Sequence, residues 1–248
     1  MADPGAPSVS VVIPVKDDAV LLERCLAALV DQTVAPLEVV VVDNGSVDRS
    51  GEVAARYGAR VVREAAPGIP AAAATGYDAA LGDVIARCDA DTVPPPDWIS
   101  RLLLGLRPGV AAVTGPGRFY DLPPGIRLLA RWGYLTTYFV SVHAALGHST
   151  LWGSNMAFRR SSWLEVRGGV HRSDPELHDD IDLAFALGPG RAIRHVRSLQ
   201  VGVSARCLHG RGQLRRRMRR ATRTLRVNWA QQPPWERWRA SVAARHMG

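Results

Sequence analysis

The sequence predicts an α/β fold with a mainly parallel central sheet flanked by helices. Strand-like and helix-like stretches alternate four times over about the first 110 residues, the pattern of a right-handed parallel sheet. The strand-like stretches are near-continuous apolar runs, as expected of strands covered on both faces. Asp17, Asp43, Asp89 and Asp91 all lie just beyond such runs. In parallel α/β sheets, ligands sit beyond the carboxyl ends of the strands.

In chain order, Ser8 to Val15 is the first strand and leads into Lys16-Asp17-Asp18. Leu21, Leu22, Cys25, Leu26 and Leu29 recur at helical spacing. Leu37 to Val42 is the second strand, followed by Asp43-Asn44-Gly45-Ser46. Val53 and Ala54 mark a short helix ending near Tyr57-Gly58, and Ala59 to Val62 is the third strand. Ile69 to Leu81 reads as an alanine-rich helix broken at Gly76. Val84 to Cys88 is the fourth strand, Asp97 to Leu106 a helix and Val110 to Thr114 the fifth strand.

Beyond Pro116 the alternation is lost. Tyr120 to Gly125 is a proline-containing turn, and Ile126 to Gly147 a helix with aromatic faces. Trp152 to Phe158 reads as a strand with polar residues at a loop edge. A helix carries His178 to Leu183, with Ser173-Asp174-Pro175 as its N-terminal cap. On that helix Asp180 and Asp182 point in nearly opposite directions. Leu199 to Val203 is the last strand. From Gly212 onward the chain is basic and helical, with Leu214, Met218, Ala221, Leu225 and Trp229 as a stripe between arginines. Residues 1–210 read as one domain, with halves at 1–115 and 116–210, and 211–248 as a basic helical extension.

The net charge is +8, and Lys16 is the only lysine. An excess made of arginine suits bidentate contacts to phosphate. On charge alone a nucleotide-diphosphate substrate, an anionic membrane surface and nucleic acid are all open. Cys25, Cys88 and Cys207 lie far apart, as reduced thiols of a cytoplasmic protein do, and form no zinc motif. Met1 to Pro7 does not read as a signal peptide, and no stretch reads as a spanning helix.

The chemistry concentrates in Asp89-Ala-Asp91, where an apolar strand ends in two carboxylates and Pro94-Pro95-Pro96 stops the chain. Turn formation needs only one of the two acids. Mg2+ is typically held by one or two carboxylates together with substrate phosphates. Asp43 reads equally as a ligand or a turn residue, and Asp18 and Asp48 as capping residues.

Val12-Ile-Pro-Val15, Val42-Asp43-Asn-Gly-Ser46, Asp89-Ala-Asp91, Gly153-Ser-Asn155 and Asp179-Asp-Ile-Asp-Leu183 occur in an order and spacing that resembles family-2 glycosyltransferases. That resemblance covers residues 8 to 188. It implies a GT-A fold with a Rossmann-like nucleotide-binding half, and an inverting, metal-dependent transferase of the hexosyltransferase type. The donor would be a UDP- or GDP-sugar and the acceptor a carbohydrate or a lipid-linked molecule. By the same resemblance Pro14, Val15 and Asp17 would line the nucleoside pocket, and Asp43 would bind the base. Asp89 would face the ribose or the metal, and Asp91 would hold Mg2+ or Mn2+ on the diphosphate. Asp180 would be the general base, with Gly153, Asn155 and Asp179 near the donor sugar or acceptor.

The sequence departs from the family in three ways. Ala72 to Gly76 lacks the family's arginine, Asp179 stands where glutamate is usual, and neither His195 nor His209 matches a metal-binding histidine cleanly. Asp89-Ala-Asp-Thr-Val93 also fits the nucleophile motif of haloacid-dehalogenase-type phosphatases, but no lysine follows it to hold a phosphoryl group. A non-catalytic sugar-nucleotide-binding module is the other alternative, one that would not need Asp180. The arginine-rich segment has no base-reading module, which argues against nucleic acid. It reads either as a packed helix or as one resting on the anionic inner face of a membrane, which would make the protein a peripheral one.

Overall fold

The computed structural model describes residues 6–208 and 210–246. The first half runs β1 (Val9–Val15), α1 (Ala19–Val30), β2 (Glu38–Asp43), α2 (Ser50–Arg56), β3 (Arg60–Arg63), α3 (Ile69–Ala79), β4 (Val84–Arg87), β5 (Thr92–Val93), α4 (Trp98–Gly105) and β6 (Val110–Thr114). Then follow β7 (Gly117–Phe119), α5 (Pro124–Ala130), a π-helical segment (Arg131–Thr136), α6 (Thr137–Leu146), β8 (Met156–Arg159) and α7 (Arg160–Val166). The chain continues with α8 (Asp179–Leu187), β9 (Ala192–His195), β10 (Val201–Val203), α9 (Arg211–Gln231) and α10 (Pro234–His246).

Seven strands form the main sheet in the order β3-β2-β1-β4-β8-β6-β9, and β5-β10-β7 form a small second sheet. β1 pairs in parallel with β2 and β4, and β2 with β3. The apolar runs have a direct physical reason. Val11, Ile13 and Val15 of β1 pack on one side with Leu22 and Leu26 of α1. Val12 packs on the other side with Ala72, Ala73 and Tyr77 of α3. With both faces covered, the strand has no position for a polar residue to reach water.

Several expectations are corrected. α3 is not broken at Gly76; a Cβ there would press on Val12 and Val42, so the glycine lets an unbroken helix lie close on the sheet. α8 starts at Asp179 with His178 at its N-cap, not at Ser173-Asp174-Pro175. Asp174 instead accepts a hydrogen bond from Arg223 of α9 at 2.8 Å. The stretch Trp152 to Phe158 is only partly strand: β8 begins at Met156 and inserts antiparallel between β4 and β6. The strand at Leu199 to Val203 is β10, which joins the second sheet. Strands β7 and β9, short and partly polar, give too weak a period to be read from sequence.

The stripe of α9 splits in two. Leu225 and Trp229 pack against the core, and Thr224 and Asn228 are buried. Leu214 and Met218 are exposed, which corrects the reading of α9 as packed along its length. In α10 the buried Arg237 donates to the Leu146 carbonyl at 3.0 Å. No helix among the described residues is long and apolar enough to cross a membrane.

Candidate active site

The ends of β1, β4 and β10 and the start of α8 surround one cleft of about 310 Å³. Pro14, Val15, Asp89, Asp91, Gly153, Asp179 and Asp180 all line it. β4 delivers Asp89 and Asp91, and a hydrogen bond from the Thr92 N–H to the Asp89 carbonyl at 3.0 Å turns the chain there.

Arg87 organises one wall. It is 2% exposed, although it lies in an otherwise apolar strand. Its guanidinium lies 3.0 Å from Asp89 and 3.3 Å from Asp179. Burial works against its charge, but Asp179 and Asp89 outweigh burial and raise its pKa. The second Asp89 oxygen accepts from the Ser154 hydroxyl at 2.5 Å. Burial raises Asp179 to about 7; Arg87 opposes the rise, and Asp180 and Asp89 add to it. A Cβ at Gly153 would collide with the Arg87 guanidinium, so the glycine is the notch that admits it.

Asp180 sits in the first turn of α8 and is 8% exposed. One of its oxygens accepts from the Gly153 N–H at 2.9 Å, and the Tyr138 hydroxyl lies 3.2 Å from the same atom. The other accepts from the Ile181 N–H at 2.8 Å. Asp182 points away and accepts from the His171 N–H at 2.7 Å and from the Asn228 side chain at 2.8 Å. The two acids therefore do different work: Asp180 faces the cleft and Asp182 ties α8 to α9.

At the opposite wall, Arg206 bridges Asp91 at 2.7 Å and Asp18 at 2.5 Å. Burial and the neighbouring Asp89 raise Asp91 to about 6, against the pull of Arg206. Crowded carboxylates bridged by a guanidinium are what a divalent cation would also bridge, so Arg206 occupies the part of a cation. The oxygen donors of Asp91, Asp89 and Asp18 suit Mg2+ or Mn2+. Among the described residues no group of three or more His, Cys, Asp or Glu is arranged to hold an ion. A metal at Asp91 would need further oxygens, such as those of a substrate's phosphates.

Other predicted positions lie elsewhere. Asp17 and Asp43 do not line the cleft. Asp17 has φ of 51° and accepts from the Val47 N–H at 2.7 Å; Asp43 accepts from the Ser46 N–H at 2.8 Å. Both carboxylates shape the turns after β1 and β2. Asp18 stands at the N-cap position of α1, as its reading as a cap expects, but its side chain makes no capping bond and lines the cleft instead. Asn44 lines it too, and its side chain ties the loop to Glu64, Ala66 and Gly68. Asn155 is fully buried and outside the lining. It accepts from the Trp98 indole at 2.8 Å and donates to the Leu199 carbonyl at 2.8 Å, so it braces the wall from behind. His195 stacks on Phe139 with ring centroids 4.5 Å apart, away from the cleft. His209 lies outside the described residues.

Sequence reasoning missed Arg87, Tyr138, Arg206, Arg217 and Arg220. Arg87 alone left a signal, as a charge inside an apolar strand. The others come from distant segments with no motif.

Acids grouped at the carboxyl end of a Rossmann-like half-sheet, facing a second half that supplies a buried carboxylate, define the GT-A class of nucleotide-sugar-dependent transferases. The model of the family "Glycosyl transferase family 2" matches residues 10–166, and the chain belongs to that family. It is 29% identical over 198 residues to the probable glycosyltransferase YdaM of Bacillus subtilis, which covers 73% of the chain and 46% of YdaM. It is 34% identical over 119 residues to the glycosyltransferase AglE of Haloferax volcanii, covering 45% of the chain and 37% of AglE. The chain thus spans less than half the length of these two relatives. The mannosyltransferase PcManGT of Pyrobaculum calidifontis, solved with GDP-Man and Mn2+, has a similar structure, with a TM-score of 0.71 and 23% identity over 99% of this chain and 71% of that one. Glucosyl-3-phosphoglycerate synthase of Mycobacterium tuberculosis gives a TM-score of 0.65 at 21% identity, over 90% and 80% of the two chains. At such identities the likeness speaks for the fold, which is GT-A. Family membership sets the phosphatase reading aside.

Proposed function

We propose that the chain transfers a hexose from a UDP- or GDP-sugar to a hydroxyl of a carbohydrate or lipid-linked acceptor, with inversion, by a metal-assisted single displacement. The observation that carries this is Asp180: a carboxylate fixed by the Gly153 N–H and its own helix, in the same cleft as Asp89 and Asp91. Asp180 takes the proton of the attacking hydroxyl. A base in reach typically contributes ~10²–10⁴-fold. One displacement needs no covalent nucleophile, and Asp89, bonded to Arg87 and Ser154, is held in place to orient the donor. Asp91, with Asp89 beside it, would hold Mg2+ or Mn2+, which supplies Lewis-acid stabilisation of the departing diphosphate. Pro14 and Val15 form the floor for the nucleoside. Asp17 and Asp43 act on the nucleoside through the loops they shape. Gly153 and Asp179 border the sugar. Support also comes from the fold neighbours, solved with GDP-Man and Mn2+ and with UDP and Mn2+.

A thermal-shift screen of nucleotide-sugars with Mn2+ and with EDTA tests the reading. A rise in Tm with a UDP- or GDP-sugar that needs Mn2+ is expected, because a ligand that binds only the folded state stabilises it by mass action. No response to any nucleotide-sugar would sink it.

A further inference from the structure

The cleft has two differently charged ends. Asp18, Asp89 and Asp91 with Arg206 make one. The other is walled by Tyr134, Leu177, His178, Arg217 and Arg220, and the two arginines project from α9. Asp180, Arg217 and Arg220 all act on the charge of His178, which stands at the N-cap of α8 beside Asp179 and Asp180. The α9 arginines thus meet the cleft at His178, two positions before Asp180.

That neighbourhood has more cation than anion. Arg216, Arg219 and Arg220 converge on the single carboxylate of Glu176, at 3.7, 2.7 and 3.1 Å. The Nε of Arg220 is buried with no hydrogen-bond partner. Arg217 is positioned by the Tyr134 hydroxyl, to which it donates at 2.6 Å, and its carbonyl lies 3.2 Å from His178 Nε2. A guanidinium N–H without a partner is costly, and an oxyanion offers it the strongest type of neutralising hydrogen bond.

We propose that the acceptor carries an anionic group, a phosphate or carboxylate, close to its attacking hydroxyl, and that Arg217 and Arg220 hold that group beside Asp180. The proposal rests on the glycosyltransferase reading. Anchoring the anion fixes the hydroxyl against the base, and such orientation is worth more to the rate than affinity alone. The planar fork of arginine suits phosphate in two-point contact. The anion can be borne by a soluble phosphate ester or by a lipid headgroup, and the experiment separates these.

The probe is sn-glycerol 3-phosphate, titrated calorimetrically into the full chain, both free and saturated with nucleotide diphosphate and Mn2+, with glycerol as its uncharged counterpart. Glycerol 3-phosphate is expected to bind and glycerol not. The R217Q/R220Q variant should weaken that binding about tenfold or more, since two charge-assisted contacts are lost, with nucleotide affinity within about twofold of wild type. R216Q/R219Q removes the same charge from the exposed side of α9 and should leave phosphate binding unchanged. R217K/R220K, which keeps charge and loses the fork, should fall between and guards against a folding defect. Phosphatidylglycerol against diacylglycerol in mixed micelles forms the lipid arm; an effect of R217Q/R220Q there alone assigns the anion to a lipid headgroup. The proposal is overturned by no phosphate binding in either arm, by equal loss in R216Q/R219Q, or by nucleotide affinity falling together with phosphate affinity. Failure of any nucleotide to bind, with phosphate binding intact, would count against the glycosyltransferase reading alone.

Discussion

In the half from β1 to β6, Asp17, Asp18, Asp43, Asp89 and Asp91 reach the rim of the sheet because a buried strand ends just before each of them. In the half beyond Pro116, Gly153, Asp180, Arg206, Arg217 and Arg220 come from a turn, a helix start, a short helical loop and a terminal helix. The first half places its groups by local geometry. The second places them by contacts between remote segments: Gly153 holds Asp180 across 27 positions of sequence, and Arg206 reaches Asp91 across 115. The consequence is chemical. The half built on regular strands supplies a fixed acidic rim. The irregular half brings Asp180 and a cationic wall to the same cleft.

The sharpest break in that comparison is Asp180→Asn. Its one amide oxygen can still accept from the Gly153 N–H while the proposed base is removed, so kcat should fall by ~10²–10⁴ with donor binding near wild type. Steady-state kinetics beside donor calorimetry checks this; near-normal turnover would show that Asp180 is not the base.

Gly153→Ala tests the seam between the halves. The added Cβ drives into Arg87, a buried group paired to both Asp89 and Asp179. Overpacking of this kind costs about 1–3 kcal/mol. Chemical denaturation should show that loss, together with weakened donor binding. An unchanged midpoint would mean that Arg87 moves aside freely.

A pH series separates the acids. Asp91 is raised to about 6 from an ordinary carboxylate value near 3.9. The folded state then holds the Asp91 proton to higher pH than the unfolded chain does. Its contribution to stability is present below the unfolded pKa and is lost as pH rises through about 6. Without metal, the stability of Asp91→Asn relative to wild type should therefore increase from pH 4 to pH 7. Mn2+ with nucleotide should protect wild type more at pH 7 than at pH 5, because the ion competes with that proton. A difference between the two proteins that does not vary with pH would remove Asp91 as the source.

The smallest expected effect lies on α9. Leu214→Ser with Met218→Ser should change stability by no more than about 0.5 kcal/mol, because both side chains are exposed. It should lower sedimentation with anionic vesicles if the basic face rests on lipid. Leu225→Ala, on the packed part of the same stripe, should cost more in thermal unfolding.

The first half was legible because its signals are short-range. A strand covered on both faces is apolar nearly throughout, as Val9 to Val15 are apart from the buried Ser10, and the acids follow at its end. The Asp89-Ala-Asp91 pair and Asp180 stood out for the same reason, each next to an apolar element that fixes its position. Asp18 and Asp17 were exchanged in that reading. Which of two adjacent acids turns inward depends on a single backbone angle, and the φ of 51° at Asp17 leaves no trace in residue type. Asn155 matched a motif at the cleft's edge, yet its partners Trp98 and Leu199 lie 57 and 44 positions away and draw it into the core.

The sequence by itself determined the α/β class, the parallel first half, the acid pair after β4 and the acid at the head of α8, because apolar periodicity and strand ends are local properties. Only the tertiary structure decided that β8 runs antiparallel into the sheet, that Gly153 makes room for Arg87, that Arg206 spans Asp91 and Asp18, and that Arg217 and Arg220 line the same cleft as Asp180. Each of these depends on which remote segments share one volume, and that is settled by packing the whole chain around a common core.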